Sequence, residues 1–302
     1  MFHAAGSNSV LQCLALGVCQ VVVPAFEPNL CLDLIEKYRC SATLAVPTMV
    51  AALVEAQSAN PRDTSSVTLI CHGASPIATQ VLKRAHEEFP DAELLHLYGA
   101  TETAPLVTGL RHEENLIGTS RGKSVGHPSR GVSVRIDAPA GEAGEVLVQG
   151  PNVMQGYWNK PEQTAAALQN GWYRTGDIGY LDDEGFLYLV DRAKDMIISG
   201  GENVYCSEVE EVIYQNPKVL EATVFGVPNE QWGEQVHAVV VPRDESLTSE
   251  ELIEFCRESL GGYKLPRSVE FRSEELPKSG PGKVLKRELR APYWEGKDRS
   301  IN

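Results

Sequence analysis

The chain has 302 residues, 42% hydrophobic and 23% charged, which suits one large or two ordinary soluble domains with a substantial core. A formal net charge of −14 argues against nucleic acid and anionic membrane surfaces as partners, since both are polyanions. Seven cysteines, an odd number without a CxxC pair, argue against zinc and a disulfide framework and for a reducing cytoplasm.

From the start of the chain, Val10 to Val23 is apolar, but no Lys or Arg precedes it and Gln12 and Gln20 interrupt it. It is too short to span a bilayer, so it reads as a buried helix, Ser9 to Gly17, and a strand, Gln20 to Val23. Helix-like segments follow at Leu30–Tyr38, Thr48–Gln57 and Ile77–Phe89. Strand-like ones stand at Ala42–Val46, Val67–Cys71 and Glu93–Leu97. Apolar strands separated by helices predict a parallel sheet covered on both faces. From about Lys123 short strands with Gly/Asp turns take over: Val132–Ile136, Glu145–Val148, Tyr173–Leu181 and Phe186–Val190, with a helical insert at Pro161–Leu168. They predict a small antiparallel unit. Beyond it, Ser207–Gln215 reads as a helix with Ser207 at the N-cap and Glu210 at the capping-box position. Val219–Val227 and Val236–Val241 read as strands, and Thr248–Leu260 as a capped helix.

Four stretches hold residues suited to chemistry. His72-Gly73-Ala74-Ser75-Pro76 ends a strand and by itself reads as a strand-to-helix turn, with Ser75 capping and Pro76 opening the helix. Tyr98-Gly99-Ala100-Thr101-Glu102 follows the next strand, at the carboxyl edge where open α/β sheets bind ligands. A tyrosine face, a close backbone approach at glycine, a hydroxyl and a carboxylate able to hold Mg²⁺ lie side by side there. A plain strand-to-loop turn is the alternative. Asp191-Arg192-Ala193-Lys194 separates two apolar runs, as a surface crossing between packed units or as an ordinary hairpin turn. Leu276 to Lys283 is a Pro/Gly-rich loop ending in Gly-Lys. It is not a P-loop, because Val284 follows the lysine. On its own it reads equally as a solvated basic tail.

Taken together with Tyr173-Arg174-Thr175-Gly176-Asp177, these stretches resemble the motifs of the adenylate-forming enzymes, the AMP-binding family of acyl-CoA synthetases, aryl-CoA ligases, luciferases and peptide-synthetase adenylation domains. The resemblance implies nucleotide binding at Gly73, Ala74, Ser75, Tyr98, Gly99, Ala100, Thr101, Asp177, Arg192 and Lys283. It implies catalysis by Lys283, Thr101 and Glu102, Mg²⁺ at Glu102, a hinge at Lys194, coenzyme A passing Gly200 and Gly201, and an acyl pocket near His3. ATP, Mg²⁺, coenzyme A and a small carboxylic acid are the implied ligands, with no nucleic acid, no transmembrane segment and a homodimer left open.

The implied fold is α/β, a remnant of a large αβ/β-barrel domain over residues 1–191 followed by a mobile α+β lid over 192–302. Within the remnant, residues 1–122 form the parallel αβ region and 123–191 the small antiparallel one. The family's Ser/Thr/Gly-rich phosphate loop has no counterpart here, so the chain is read as the later portion of a family member, with its activity alone in question. Met196 to Asn203 and the ending from Leu289 resemble fatty-acyl and medium-chain acid ligases. An aryl-CoA ligase, a stand-alone adenylation domain and a non-catalytic nucleotide- or coenzyme-A-binding protein are the alternatives.

Overall fold

The computed structural model describes residues 3–75, 77–111, 117–139, 141–243, 246–279 and 283–296. The chain folds as two compact units. One holds Met1–Thr175 and Gly179–Leu189, and the other Gly176–Ile178 and Val190–Asn302.

The first unit begins with α1 (Ala4–Leu16), α2 (Pro28–Tyr38), β1 (Ala42–Ala45), α3 (Pro47–Ala59), β2 (Leu69–Gly73), α4 (Thr79–Glu88) and β3 (Glu93–Tyr98). Proline at the first turn starts α2 and α3, where its missing N–H costs nothing. Strands β1, β2 and β3 pair in parallel; β4 (Thr108–Leu110) and β5 (His127–Pro128) then join antiparallel. The sheet is therefore mixed. Helices α2, α3 and α4 share one core with Ile70 and Leu94 on one face of it, while Leu44 of β1 is 43% exposed, so the expectation of cover on both faces is corrected. Helix α1 starts at Ala4, five residues before the expected start, and buries none of its residues; no strand forms over 20–23. Helix α4 begins at Thr79, so Ser75 does not cap it, and Pro76 lies outside the described residues.

A second sheet contains β6 (Ser133–Asp137), β7 (Gly144–Gln149), β9 (Trp172–Leu181) and β10 (Leu187–Arg192) in the order β10-β9-β7-β6. Helix α5 (Pro161–Ala167) and β8 (Leu168–Gln169), which pairs with β9, lie between β7 and β9 in the chain. Val146 and Val148 of β7 and Leu187 of β10 pack with Tyr98 in one core.

The second unit adds β11 (Ile197–Ser199), β12 (Glu202–Val204), α6 (Cys206–Tyr214), β13 (Val219–Asn229), β14 (Gly233–Pro242), α7 (Ser249–Arg257), β15 (Ser268–Phe271) and α8 (Lys286–Arg290). The long β13–β14 hairpin alternates its side chains between two cores. Ala222, Val224, Val236, Ala238 and Val240 face α6 and α7. Phe225, Val227, Val239 and Val241 face Leu276 and Leu289. Burial on both faces is why these strands read as unbroken apolar runs. Thr248 caps α7, its side chain accepting from Glu251 N–H, as expected. The cap assigned to α6 is corrected. Tyr205 occupies the N-cap, Ser207 Oγ donates to Val190 O, and Glu210 turns away to accept from Val224 N–H.

The remnant-plus-lid description is corrected as well. A larger α/β unit and a smaller α+β unit are both present, and each closes cores of its own. The chain passes between them at Leu189–Val190, and residues 176–178 of β9 belong with the second unit.

Candidate functional site

In the first unit the site is a pair of strand ends. Gly73 closes β2 and is paired with Leu97 of β3. A Cβ on Gly73 would collide with the Leu97 carbonyl, and one on Gly99 with the Pro105 carbonyl, so both positions require glycine. Ala74 sits at φ 70°, a left-handed conformation unusual for a residue with a Cβ. Strain of this kind gathers at ligand-binding turns.

Thr101–Thr103 forms a single 3-10 turn. Thr103 holds it: its Oγ1 accepts from Ala100 N–H at 2.9 Å and donates to Ala100 O at 3.0 Å. Asn152 Nδ2 donates to Thr103 O at 3.0 Å and to Leu106 O at 2.7 Å. Thr101 is left exposed and Glu102 half-buried. The Tyr157 hydroxyl donates to Glu102 Oε1 at 2.8 Å, and Met154 N–H donates to Glu102 O at 2.8 Å. Desolvation, then the Glu102 carboxylate, push the Tyr157 phenol above its ordinary pKa, so it remains a donor. Tyr98 is only 9% exposed, within the core of the second sheet.

Beneath the turn, His72 and His96 are register partners whose rings stack at 4.7 Å between centroids. His72 is fully buried, and neither ring nitrogen has a hydrogen-bond partner among the described residues. Burial pushes both imidazoles down, His96 to about 4, so the pair is neutral at pH 7.

In the second unit the site is built from charge. Arg192 Nε lies 3.2 Å from Asp177 Oδ1, an ion pair that ties β9 to β10. Ala193 N–H donates to Gly176 O at 3.0 Å beside it. Lys283 joins this group. Desolvation first, then the positive charge of Arg192, bring its ammonium down to about 8, against the opposing pull of Asp177 and Asp195; Lys194 adds to the lowering. The residue as a whole remains exposed.

Gly200 and Gly201 both adopt left-handed backbone, φ 64° and 86°. A Cβ on Gly200 would come within 2.8 Å of the Trp232 ring, while one on Gly201 would meet nothing within 4 Å. The structure thus gathers Asp177, Arg192, Lys194 and Lys283 in one unit, and Gly73 to Ser75 with Tyr98 to Glu102 in the other. His3 starts α1, its Nδ1 accepting from Ala5 N–H at 3.3 Å. Gly280 to Gly282 lie outside the described residues.

Sequence reasoning missed Thr103, Asn152, Tyr157 and the two histidines. Only Thr103 and the histidines carried a local signal, by standing inside or next to the motifs. Asn152 and Tyr157 come from 46 to 55 residues downstream, and nothing in the chain text links them to the turn. Glu102 could hold Mg²⁺ together with phosphate oxygens and water, a donor set suited to that ion; no cluster of three or more metal-ligating side chains occurs among the described residues.

The AMP-binding enzyme family model matches residues 1–158, and the model of the AMP-binding enzyme C-terminal domain matches 208–283. Feruloyl-CoA synthase of Amycolatopsis sp is 42% identical over 97% of this chain and 60% of its own length. A long-chain-fatty-acid–CoA ligase of Yersinia pestis is 45% identical over 85% of this chain and 46% of its own. Among solved structures, o-succinylbenzoate-CoA synthetase of Bacillus subtilis, in complex with its acyl-adenylate intermediate, superposes with a TM-score of 0.84 at 34% identity, covering 96% of this chain and 59% of that one. The chain thus spans about three fifths of the length of the first of these relatives. The large-domain model matches residues 1–158 as well as the C-terminal-domain model 208–283, so the chain carries sequence of both domains, which corrects the reading of it as a C-terminal portion with a mere remnant of the large domain.

Proposed function

This chain belongs to the family of AMP-binding enzymes, and on that premise we propose that it is an AMP-forming acid–thiol ligase. It would join a carboxylic acid to coenzyme A through an acyl-adenylate, with MgATP as the other substrate. The observation that carries the reading is the charged group of Asp177, Arg192 and Lys283, a carboxylate and two cations gathered in a single unit.

In this reading Asp177 accepts from the ribose hydroxyls, a task for a group that only accepts, and Arg192 holds both the carboxylate and the sugar. The Lys283 ammonium lies between the attacking carboxylate and the α-phosphate and offsets the charge that develops there. Tyr98 and the Gly73–Ser75 turn position adenine, while Thr101 and Glu102 address the phosphate and its Mg²⁺. Rotation about Lys194 then withdraws Lys283 and presents Gly200 and Gly201 to coenzyme A, keeping water from the anhydride. The open space at Gly201 supports a path for a narrow chain.

The acid is read as fatty or medium-chain, from the resemblance of residues 196–203. The 42% identity to a feruloyl-CoA synthase favours an aryl acid as the second reading. The seven free cysteines support a cytoplasmic location, and among the described residues no helix is long and apolar enough to cross a membrane. A homodimer belongs to the same reading and is tested by the mass in solution.

Purified chain with MgATP, coenzyme A and a panel of fatty and aryl acids is expected to release AMP and form a thioester. Lys283→Ala should abolish adenylation and spare thioester formation from supplied acyl-adenylate. No adenylate with any acid overturns the ligase reading; equal loss of both steps overturns the role of Lys283.

A further inference from the structure

Lys283 directly precedes the bridge residue Val284. That bridge joins Val284 to Lys278, with Ser279 N–H donating to Lys283 O and Leu285 N–H to Pro277 O, both at 2.8 Å. The chain then enters α8, only five residues long, in which Leu289 alone is buried. A helix this short is not stable by itself, so something else must fix where Lys283 stands.

Both ends of α8 are tied down by charge. At its start Lys286 Nζ lies 2.8 Å from Glu210 Oε1, and at its end Arg290 Nη1 lies 3.7 Å from Asp195 Oδ1. Glu210 is itself anchored, accepting from Val224 N–H at 2.7 Å and Thr223 Oγ1 at 3.0 Å. Asp195 follows the proposed hinge residue directly. Asp191 accepts from Arg192 N–H at 2.7 Å and Cys206 N–H at 2.5 Å, which pins the strand bearing Arg192 to the start of α6. The side chains of Lys286, Glu210, Arg290 and Asp195 are each about one-fifth exposed or less, so salt screens these pairs weakly. Burial works against the Lys286 charge, but Glu210 and Asp191 outweigh it and hold its pKa above the ordinary value.

We propose that Lys286 is a positioning residue for Lys283: its ion pair with Glu210, seconded by Arg290 with Asp195, locks the Lys283 segment to α6 and to the residue that follows Lys194, so that Lys283 keeps a fixed place among the residues beyond the proposed hinge. The inference rests on the reading of Lys283 as the cation that serves adenylation, but its test does not require turnover.

The test is the pH dependence of Lys283 acetylation in the full chain, followed by peptide mass spectrometry with trace acetic anhydride. The groups facing Lys283 are Arg192, Lys194, Asp177 and Asp195; desolvation first, then the Arg192 charge, brings its pKa down to about 8 against the pull of the two carboxylates. Lys286→Gln frees the segment, and Lys283 should rise by at least one unit toward its ordinary value, cutting its labelling near pH 7 about tenfold. Lys286→Arg keeps the pair and should keep the wild-type curve. Lys218→Gln, which breaks the remote pair with Glu251, should leave it unmoved. An unchanged Lys283 curve in a Lys286→Gln protein that still melts cooperatively overturns the proposal. If that variant does not fold, Glu210→Gln carries the same measurement, and an unchanged curve there overturns it equally. A tether that passes in a chain without ligase activity would refute the proposed function alone.

Discussion

The strand-end turn of the first unit and the lysine-bearing segment of the second are held by different forces. Around Gly73 and Gly99 the backbone is fixed by carbonyls that leave no room for a Cβ, by neutral hydrogen bonds from Thr103 and Asn152, and by a stack of uncharged imidazoles. Around Lys283 position is fixed by ion pairs: Asp177 with Arg192, Glu210 with Lys286, Asp195 with Arg290. A surface built from backbone and neutral groups presents one shape to a ligand. The pairs Glu210–Lys286 and Asp195–Arg290 are largely buried, so this segment keeps its place through a few charges and is carried along with the elements that bear them. The contrast fits a fixed platform in one unit and a movable cation in the other.

The largest expected effect attacks the platform. Gly99→Ala forces a Cβ into the Pro105 carbonyl and should cost about 3 kcal/mol, read as a lower urea midpoint at constant slope. A loss below about 1 kcal/mol would mean that the turn yields, and the contrast with the second unit would weaken.

Acid is the next probe. The folded pKa values of His72 and His96 lie below the unfolded value near 6.5, so the unfolded chain binds more protons at low pH. Stability should therefore fall from about pH 6.5 toward pH 4, by about 3 kcal/mol for His96 alone, with His72 adding to the loss in the same direction. His72→Phe keeps a buried ring of similar shape and should flatten that slope. A melting temperature independent of pH across this window would show that the imidazoles are not buried neutral.

Raising the pH probes the other region. Lys283 acts as an ammonium in the proposed function and titrates at about 8. Adenylation should halve near that pH and drop about tenfold for each further unit, while thioester formation from supplied acyl-adenylate should not follow. Adenylation that is level from pH 7 to pH 10 would remove Lys283 as the titrating cation.

The smallest expected change in stability concerns Arg192→Ala. The Arg192 side chain is 43% exposed, so losing its pair with Asp177 should cost no more than about 1 kcal/mol of folding free energy. Nucleotide affinity, measured by calorimetry, should fall far more than stability does. Equal losses would make the pair structural and erase the distinction between the regions.

Much of this architecture was legible in the chain text. The period of apolar residues marked most helices and strands, because each must bury a face of its own. The motifs at residues 98–102, 173–177 and 191–194 are short and contiguous, so their local chemistry could be read in place. The sequence alone also marked the glycines at 73, 99 and 200 as residues of consequence, though not what would strike a Cβ there. Errors fell where partners are remote. Ser207 and Glu210 have the spacing of a capping box, yet Glu210 serves Val224, Thr223 and Lys286, and Ser207 serves Val190, because tertiary bonds to buried groups outweigh a local cap. The second face of the first sheet was misjudged because an apolar strand carries no record of which helices cover it. Only the folded chain decided that Tyr157 and Asn152 would brace Glu102 and Thr103, that two histidines 24 residues apart would stack, and that Lys286 would meet Glu210. Each of these contacts joins residues distant along the chain, and hydrogen bonds and charges of that kind leave no period in the sequence from which they could be read.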